Sequence, residues 1–263
     1  TKYTTRQRQE KGLPTTYGKT REYYYGDKVV YLTFDDGPND KNTSRILDIL
    51  KKENIHATFF LTGQNVVRYP DVVKKIYQSG NASAPFDTHD YKKIYVSPKA
   101  YTDELLQTEE EIYKILGVRP IISRAPGGTE GHFTKDFWTA INDIGYIEVG
   151  WNALTGDADG TGKTADKEVE NIKQQLQLRP YLHRHLVILM HDAYGHGATV
   201  DALPDIIHLL KDQGYSFRVV TTAIPPPGKM HGIYAKIVYN IFTGKTIVHG
   251  DSHIYTENPC FLS

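Results

Sequence analysis

Short apolar runs alternate along this chain with longer segments whose apolar positions recur every three or four residues. The run 29–34, Val-Val-Tyr-Leu-Thr-Phe, is the pattern of a strand buried on both faces. The segment 42–53 places Ile46, Leu47 and Leu50 on one face of a helix, and Asn42 or Thr43 is the expected N-cap. The first unit is therefore predicted to be a buried strand followed by an amphipathic helix.

The rest of the chain repeats this unit as far as residue 219, except for a turn-rich stretch over 80–88. Further strands are predicted over 57–61, 120–123, 146–151, 185–190 and 215–219. Further helices are predicted over 70–79, 99–116, 134–144, 164–176 and 200–213.

Strands that alternate with helices predict a mainly parallel sheet, because parallel strands need a crossover connection. Repetition over about 200 residues favours an α/β fold, a distorted (β/α) barrel with a missing or altered strand. The barrel is predicted over 28–225, after an N-terminal arm over 1–27 without clear periodicity. A C-terminal extension over 226–263 carries the signal of a β-hairpin, and we expect a structural role for it.

Composition narrows the classes of function. Hydrophobic residues make up 39% of the chain, which fits a globular protein. Lys+Arg and Asp+Glu are both 31, and this balance disfavours nucleic acid or an anionic membrane surface as a partner. No apolar run approaches the ~18 residues of a membrane span. We expect a monomer without a transmembrane segment.

Candidate chemistry lies where the predicted strands end, which is where (β/α) barrels carry their functional residues. Asp35 and Asp36 follow the first strand, and neighbours on a strand point in opposite directions, so one could hold a cation while the other moves protons. His191 ends the most apolar strand, and its ordinary pKa near 6.5 suits a proton carrier. His89 follows the turn-rich stretch, and Arg124 follows another strand.

Each of these residues also has a structural interpretation. The two aspartates could cap a turn, His89 could be a solvated loop residue, and Arg124 could precede a helix. His196, in the segment Tyr-Gly-His-Gly over 194–197, is expected to shape a loop rather than to bind a metal.

Taken together, the strand ends resemble the polysaccharide deacetylases of the NodB-homology type, carbohydrate esterase family 4. Segment 33–38, Thr-Phe-Asp-Asp-Gly-Pro, is identical to the first motif of that family. Segments 124–127, Arg-Ala-Pro-Gly, and 189–192, Leu-Met-His-Asp, are similar to the third and fifth motifs. The resemblance covers roughly 29–221 and includes the similar second strand in 57–63.

The resemblance implies a hydrolase that removes N-acetyl groups from sugars with the help of zinc or another divalent metal. It implies Asp35 as general base and His191 as general acid, with Asp36 as a metal ligand. The backbone N–H of Gly127 would help to hold the oxyanion, and Arg124 would pair with Asp35 and lower its pKa.

The second motif departs from the family pattern of two histidines four residues apart. If His89 matches the second histidine, Pro85 stands at the first, where no side chain can bind a metal. Catalytic zinc sites normally have three protein ligands, so Asp36 and His89 alone should bind zinc weakly or not at all. Asp87 is the nearby candidate for a substitute ligand.

The fourth motif is altered as well. Trp151 is retained and is a candidate for substrate binding, and Asp157 matches the aspartate expected to orient Arg124. Leu154 and Ala158 replace an aspartate and a tryptophan of the family pattern. We expect one apolar wall of the acetyl pocket to be missing.

Two hypotheses follow, and whether the protein is an enzyme stays open between them. The first is a deacetylase-like protein with a broken metal site, weak or no activity, and a structural or glycan-binding role at the cell wall. The second is an active deacetylase that uses Asp87 in a rewired metal triad. A barrel with an unrelated substrate is a third possibility. The substrate class, peptidoglycan or a chitin-like polymer, implies a secreted or cell-surface protein.

Overall fold

The computed structural model describes residues 28–86, 90–159, 163–178 and 185–220, together with Gln7, Glu10 and Lys11. The predicted C-terminal extension and, apart from those three residues, the predicted N-terminal arm lie outside this part. The division of the chain into these three segments therefore stays a prediction. No helix of the described segments combines the length and apolar character needed to cross a membrane.

Strands and helices alternate through the described part. The strands are β1 (Val29–Gly37), β2 (Thr58–Thr62), β3 (Ala82–Phe86), β4 (Ile122–Ser123), β5 (Ile147–Glu148), β6 (Ala153–Leu154), β7 (His185–His191) and β8 (Ser216–Phe217). The helices are α1 (Asn42–Glu53), α2 (Gly63–Arg68), α3 (Pro70–Gln78), α4 (Tyr91–Ile94), α5 (Pro98–Leu116), α6 (Lys135–Asp143), α7 (Ala165–Leu178) and α8 (Gly197–Asp212).

Every strand pairing in the described part is parallel, as the alternation predicts. The main sheet has the order β3-β2-β1-β7-β6, with β8 added to β1, while β4 and β5 form a separate pair. This is the mixed α/β, barrel-like arrangement expected from the sequence. Because parallel strands end at one edge, the loops after β1 and β7 lie side by side, and the hydrogen bonds of Arg124 to Thr33 and Asp35 bring the end of β4 to the same edge.

The central strand β1 is buried on both faces, as its apolar run indicates. Val30, Leu32 and Phe34 face a large apolar cluster that includes side chains of α1, α3 and α8. Val29 and Tyr31 face the opposite side, in a smaller cluster. Each fully buried side chain of this size contributes about 1.5–3 kcal/mol. Two-residue alternation along the strand places Thr33 and Asp35 on the second face.

The structure corrects three local expectations. The stretch predicted as turn contains β3, whose residues pair in register with β2 from Thr58↔Ala82 to Thr62↔Phe86. The strand predicted over 146–151 is shortened to β5 (Ile147–Glu148), which pairs with β4, and a separate strand β6 (Ala153–Leu154) follows it and pairs with β7. Neither Asn42 nor Thr43 is the N-cap of α1: Lys41 holds that position, and the side chain of Asn39 accepts from the backbone N–H of Asn42 at 2.7 Å.

Candidate active site

Asp35 lies near the end of β1 and is 2% exposed. One of its carboxylate oxygens accepts a hydrogen bond from Arg124 Nη1 at 2.8 Å. Burial nevertheless raises the pKa of Asp35 to about 6, because loss of hydration outweighs the opposing effect of Arg124. Arg124 lowers the pKa of Asp35, as expected, but burial has the larger effect and the net shift is upward. The result is a carboxylate suited to accept a proton near neutral pH.

Arg124 is the largest fully buried side chain in the described part of the protein. Besides Asp35, its guanidinium donates to Thr33 Oγ1 at 2.8 Å and to the carbonyls of Val149 and Gly150, both at 2.9 Å. A guanidinium bound on several sides cannot rotate, so it fixes the orientation of the Asp35 carboxylate. The structure thus brings together the predicted pair of Asp35 and Arg124.

His191 ends β7 and is the register partner of Asp35 on the adjacent strand. Its Nδ1 lies 2.9 Å from Asp157 Oδ1, and its backbone N–H donates to Asp157 Oδ2 at 2.6 Å. Burial lowers the pKa of His191, but the hydrogen bond and charge of Asp157 outweigh it and raise the pKa to about 9. The imidazole is therefore held in its protonated form, ready to act as an acid.

Asp157 does not orient Arg124, which corrects the expectation from the fourth motif. Both oxygens of the Asp157 carboxylate face the histidines that end or follow β7. The reason is topological: Asp157 follows β6, which pairs with β7, while Arg124 is bound by Asp35, Thr33 and two backbone carbonyls. Burial raises the pKa of Asp157, but its hydrogen bonds to His191 and the nearby charge of the two imidazoles outweigh this and lower the pKa well below its ordinary value.

His196 was expected to shape a loop, but it lies in the site. Its Nδ1 lies 3.5 Å from Asp157 Oδ2, and its ring stacks on His191 with centroids 5.1 Å apart. Asp157, His191 and His196 each offer a ligand atom, and these atoms lie within 4.8 Å of one another, so the group could hold a metal ion. The sequence signal was weak, because glycine neighbours and spacing from His191 also fit an ordinary turn.

Asp36 occupies a β-bulge at the end of β1. The register runs from Asp35↔Phe60 to Gly37↔Leu61, so Asp36 is the extra residue, with a φ of 76°. Asn65 Nδ2 donates to the Asp36 carbonyl at 2.8 Å and holds this conformation, which side-chain-bearing residues rarely adopt. A β-bulge changes the direction of a side chain relative to regular strand geometry. The side chains of Asp35 and Asp36 therefore differ in direction by more than the alternation of a regular strand gives.

Pro85 lies inside β3, buried, with Leu61 as its register partner on β2. A proline is tolerated in β3 because the strand is an edge of the described sheet. His89 and Asp87 lie outside the described residues, so the structure does not place them. Of the predicted ligands, the described part thus contains Asp36.

The loop after β4 lines the opening of the site. Gly127, with a φ of 70°, is exposed, and a Cβ there would lie 3.2 Å from Tyr91 Oη. At Gly128, with a φ of 86°, a Cβ would lie 3.2 Å from the Trp151 ring. These glycines let both aromatic rings approach the backbone closely. Trp151 also lies 5.5 Å from the Arg124 guanidinium, so this predicted substrate-binding residue borders the base.

The loops after β1 and β7 are joined by buried polar contacts. Asn39 Nδ2 donates to the Asp192 carbonyl at 2.6 Å, and Thr43 Oγ1 donates to the Asp192 carboxylate. A Cβ at Gly37 would lie 2.2 Å from Asp192 Oδ2, so only glycine fits between these loops. The contacts fix the two loops that follow the strands carrying Asp35 and His191.

Comparison with known proteins identifies the class to which this fold and site belong. A family model described as polysaccharide deacetylase matches residues 23–149. A peptidoglycan-N-acetylglucosamine deacetylase of Bacillus cereus is 34% identical over 191 residues, which are 72% of this chain and 68% of that protein. A peptidoglycan-N-acetylmuramic acid deacetylase of Bacillus subtilis, PdaA, is 29% identical and covers 80% of this chain and 78% of its own length.

The same class is found among solved structures. The crystal structure of the polysaccharide deacetylase Bc1974 from Bacillus cereus matches with a TM-score of 0.67 and 32% identity, over 74% of this chain and 92% of that one. The chain therefore belongs to the polysaccharide deacetylase family, as its motifs predict.

Proposed function

We propose that this protein hydrolyses N-acetyl groups of a cell-wall glycan of the peptidoglycan or chitin-like class, with activity limited by a weakened metal site. The proposal rests on two buried ion pairs, Asp35 with Arg124 and His191 with Asp157. Asp35 and His191 lie side by side at the ends of adjacent strands. The deacetylases of peptidoglycan among the similar proteins support the substrate class. A secreted or wall-associated location follows from that substrate.

The couples supply both proton transfers of amide hydrolysis. Asp35 takes a proton from water, whose oxygen attacks the acetyl carbonyl carbon, and the Gly127 N–H is the proposed donor to the resulting oxyanion. When the C–N bond breaks, His191 gives its proton to the amine nitrogen. Acetic acid and the free amine leave, with Asp35 now protonated and His191 neutral. Loss of a proton from Asp35 to solvent and uptake of one by His191 restore the starting state.

The family uses a divalent ion to polarise the carbonyl and to activate the water. Asp36 is the proposed ligand in the described part, with His89 and either Asp87 or solvent completing the set. Pro85, fixed within β3, has no ligating atom to offer. Because Pro85 removes one side-chain ligand from the family pattern, we derive no step through the ion and infer weak metal binding.

The presence of Pro85 favours a second candidate function, a glycan-binding protein without hydrolysis. Its buried position in β3 leaves the first motif-two ligand position without a donor. In that case the surface around Trp151 would bind sugar, and Asp35 and His191 would transfer no protons.

The decisive experiment measures acetate released from an N-acetylglucosamine oligomer with and without added zinc. We expect slow, zinc-stimulated release from the wild type and none from Asp35→Asn. Pro85→His should bind zinc more tightly and release acetate faster, while Pro85→Ala, which removes the ring without adding a ligand, should behave as the wild type. Loss of the wild-type activity in Asp87→Asn would assign Asp87 as the third ligand. Binding of the oligomer without any acetate release would establish the second candidate instead.

A further inference from the structure

The geometry points to a second divalent-metal site on the acid side of the centre, formed by Asp157, His191 and His196, whose occupation blocks the general acid. It is distinct from the Asp36 position, because none of its three residues belongs to the first or second motif. Binding of the ion stands on geometry alone, whereas the inhibition rests on the proposed function. The ligand class is a transition-metal dication such as zinc or cobalt.

The donor set suits such an ion. Two imidazoles and a carboxylate are a common three-residue set for zinc, with bonds of about 2.0–2.2 Å. Ligand atoms around a tetrahedral ion are then about 3.3 Å apart. His196 Nδ1 and Asp157 Oδ2 are 3.5 Å apart, and His191 Nδ1 and Asp157 Oδ1 are 2.9 Å apart. His191 Nδ1 and Asp157 Oδ1 need to move apart by only a few tenths of an ångström to reach the spacing of metal ligands.

One ring nitrogen of His196 is buried and is available as a metal ligand. Its Nδ1 is buried and, among the described residues, forms no hydrogen bond, and the contact with Asp157 at 3.5 Å exceeds hydrogen-bond geometry. The backbone N–H of His196 donates to the Ala193 carbonyl at 2.9 Å, which holds the turn in place. The ring is thus positioned beside a carboxylate at a distance that fits shared coordination better than direct pairing.

The surroundings favour a cation and leave a path to it. Asp157 is almost fully buried, while the side chains of His191 and His196 are 13% and 15% exposed, so the site opens on the imidazole side. Thr199 Oγ1 lies 3.2 Å from Asp157 Oδ2 and 3.3 Å from Glu168 Oε1. Thr199 thus links the Asp157 carboxylate to a second carboxylate, that of Glu168. Outer contacts of this kind orient metal ligands in proteins.

An ion at this position removes the acid from the reaction. To act as the acid, His191 must carry protons on both ring nitrogens, and an ion on Nδ1, which now lies 2.9 Å from Asp157 Oδ1, takes the place of one of them. The remaining N–H belongs to a neutral, metal-bound ring and is a far weaker donor to a leaving amine. Excess zinc is therefore expected to inhibit hydrolysis through His196.

The test uses cobalt(II) as the probe on the full chain. In an Asp36→Asn background, which removes the family metal position, equilibrium dialysis and visible absorption should detect a bound ion that disappears in Asp36→Asn/His196→Gln. His132→Gln in the same background is the matched control, because the His132 ring stacks on Tyr95 and is not one of the three ligands, and it should retain the ion. Melting curves for each variant verify that the fold is intact. Equal cobalt binding with and without His196 would overturn the proposal.

Inhibition is a separate arm. If the wild type releases acetate, His196→Gln should need at least tenfold more zinc than the wild type for half-inhibition. Equal inhibition of both would refute the inhibitory role. A protein that binds cobalt through His196 but never releases acetate would refute the proposed hydrolysis and leave the metal site standing, so the two failures can be told apart.

Discussion

The two halves of the site differ in how their residues are held. On one half, Asp35 and His191 lie at register-matched ends of β1 and β7, each fixed by a buried partner of opposite charge. On the other half, Pro85, which the motif comparison predicts at a ligand position, lies on β3, an edge strand of the described sheet. The proton-transfer half is embedded in the core, so its geometry is inseparable from the fold. A ligand at the end of an edge strand can be lost without disturbing the core.

The largest effect should come from breaking the embedded half at its centre. Arg124→Gln leaves the buried Asp35 carboxylate and two backbone carbonyls with fewer donors, and unpairing a buried charge destabilises by about 3–5 kcal/mol. Urea denaturation measures the change in free energy of unfolding. Arg45→Gln is the control, since its pair with Asp201 is exposed and contributes about 0–1 kcal/mol. Equal losses in both variants would show that the core pair is not special.

A second prediction concerns Glu148, which accepts hydrogen bonds from Tyr101 and Ser123 behind Arg124. Burial raises the pKa of Glu148 from 4.5 to about 7. The folded state therefore keeps a proton that the unfolded state releases, so this residue's contribution to stability falls as pH rises from about 4.5 to 7 and is level above that.

Glu148→Gln removes this titration. Relative to the wild type, the free energy of unfolding of the variant should rise by about 1–3 kcal/mol between pH 5 and pH 8. Denaturation at the two pH values measures the difference. Glu170→Gln on the exposed surface of α7 serves as the control for loss of a carboxylate. A pH-independent difference between Glu148→Gln and wild type would contradict the burial argument.

A third prediction tests the acid couple. Asp157→Asn removes the charge that outweighs burial at His191, so the pKa of His191 should fall from about 9 by about 1–3 units. NMR titration of the His191 ring measures this directly. Asp159→Asn, two residues along the same loop, is the matched control, and it should shift the pKa of His191 much less. An unchanged pKa in Asp157→Asn would mean that other charges protonate the ring.

The smallest effect is expected on the edge-strand half. Pro85→Ala should change the free energy of unfolding by no more than about 1 kcal/mol, the usual range for loss of a proline at a compatible site. Thermal or urea denaturation beside Arg124→Gln sharpens the contrast between the two halves. A loss as large as that of Arg124→Gln would show that β3 is as deeply bound into the core as β1.

Local sequence was sufficient where one period dominates. Apolar runs gave β1 and β7, and helical periodicity gave α1, α3, α5, α6, α7 and α8 within a few residues. The turn-rich stretch hid β3 because Ala-Ser-Ala-Pro-Phe has no apolar alternation. Its strand geometry comes from pairing with β2, which no window of the sequence contains.

The site divides along the same line. Motif spacing predicted Asp35, Arg124 and His191 because each follows a strand of the repeated unit. The partner of Asp157 could not be predicted, since it depends on β6 lying beside β7 rather than near Arg124. The direction of the Asp35 pKa shift also depended on depth of burial, which charge pairing alone does not reveal.

The sequence by itself determined the parallel α/β architecture, the family and the absence of a ligating side chain at Pro85, because each is encoded in local pattern or residue identity. Tertiary structure alone decided that Asp35 pairs with Arg124 and Asp157 with His191. It also decided that the pKa of His191 is raised and that His196 lies beside Asp157. Those properties arise from strand register and desolvation, which bring together residues 34 positions apart for His191 and Asp157 and 89 apart for Arg124 and Asp35.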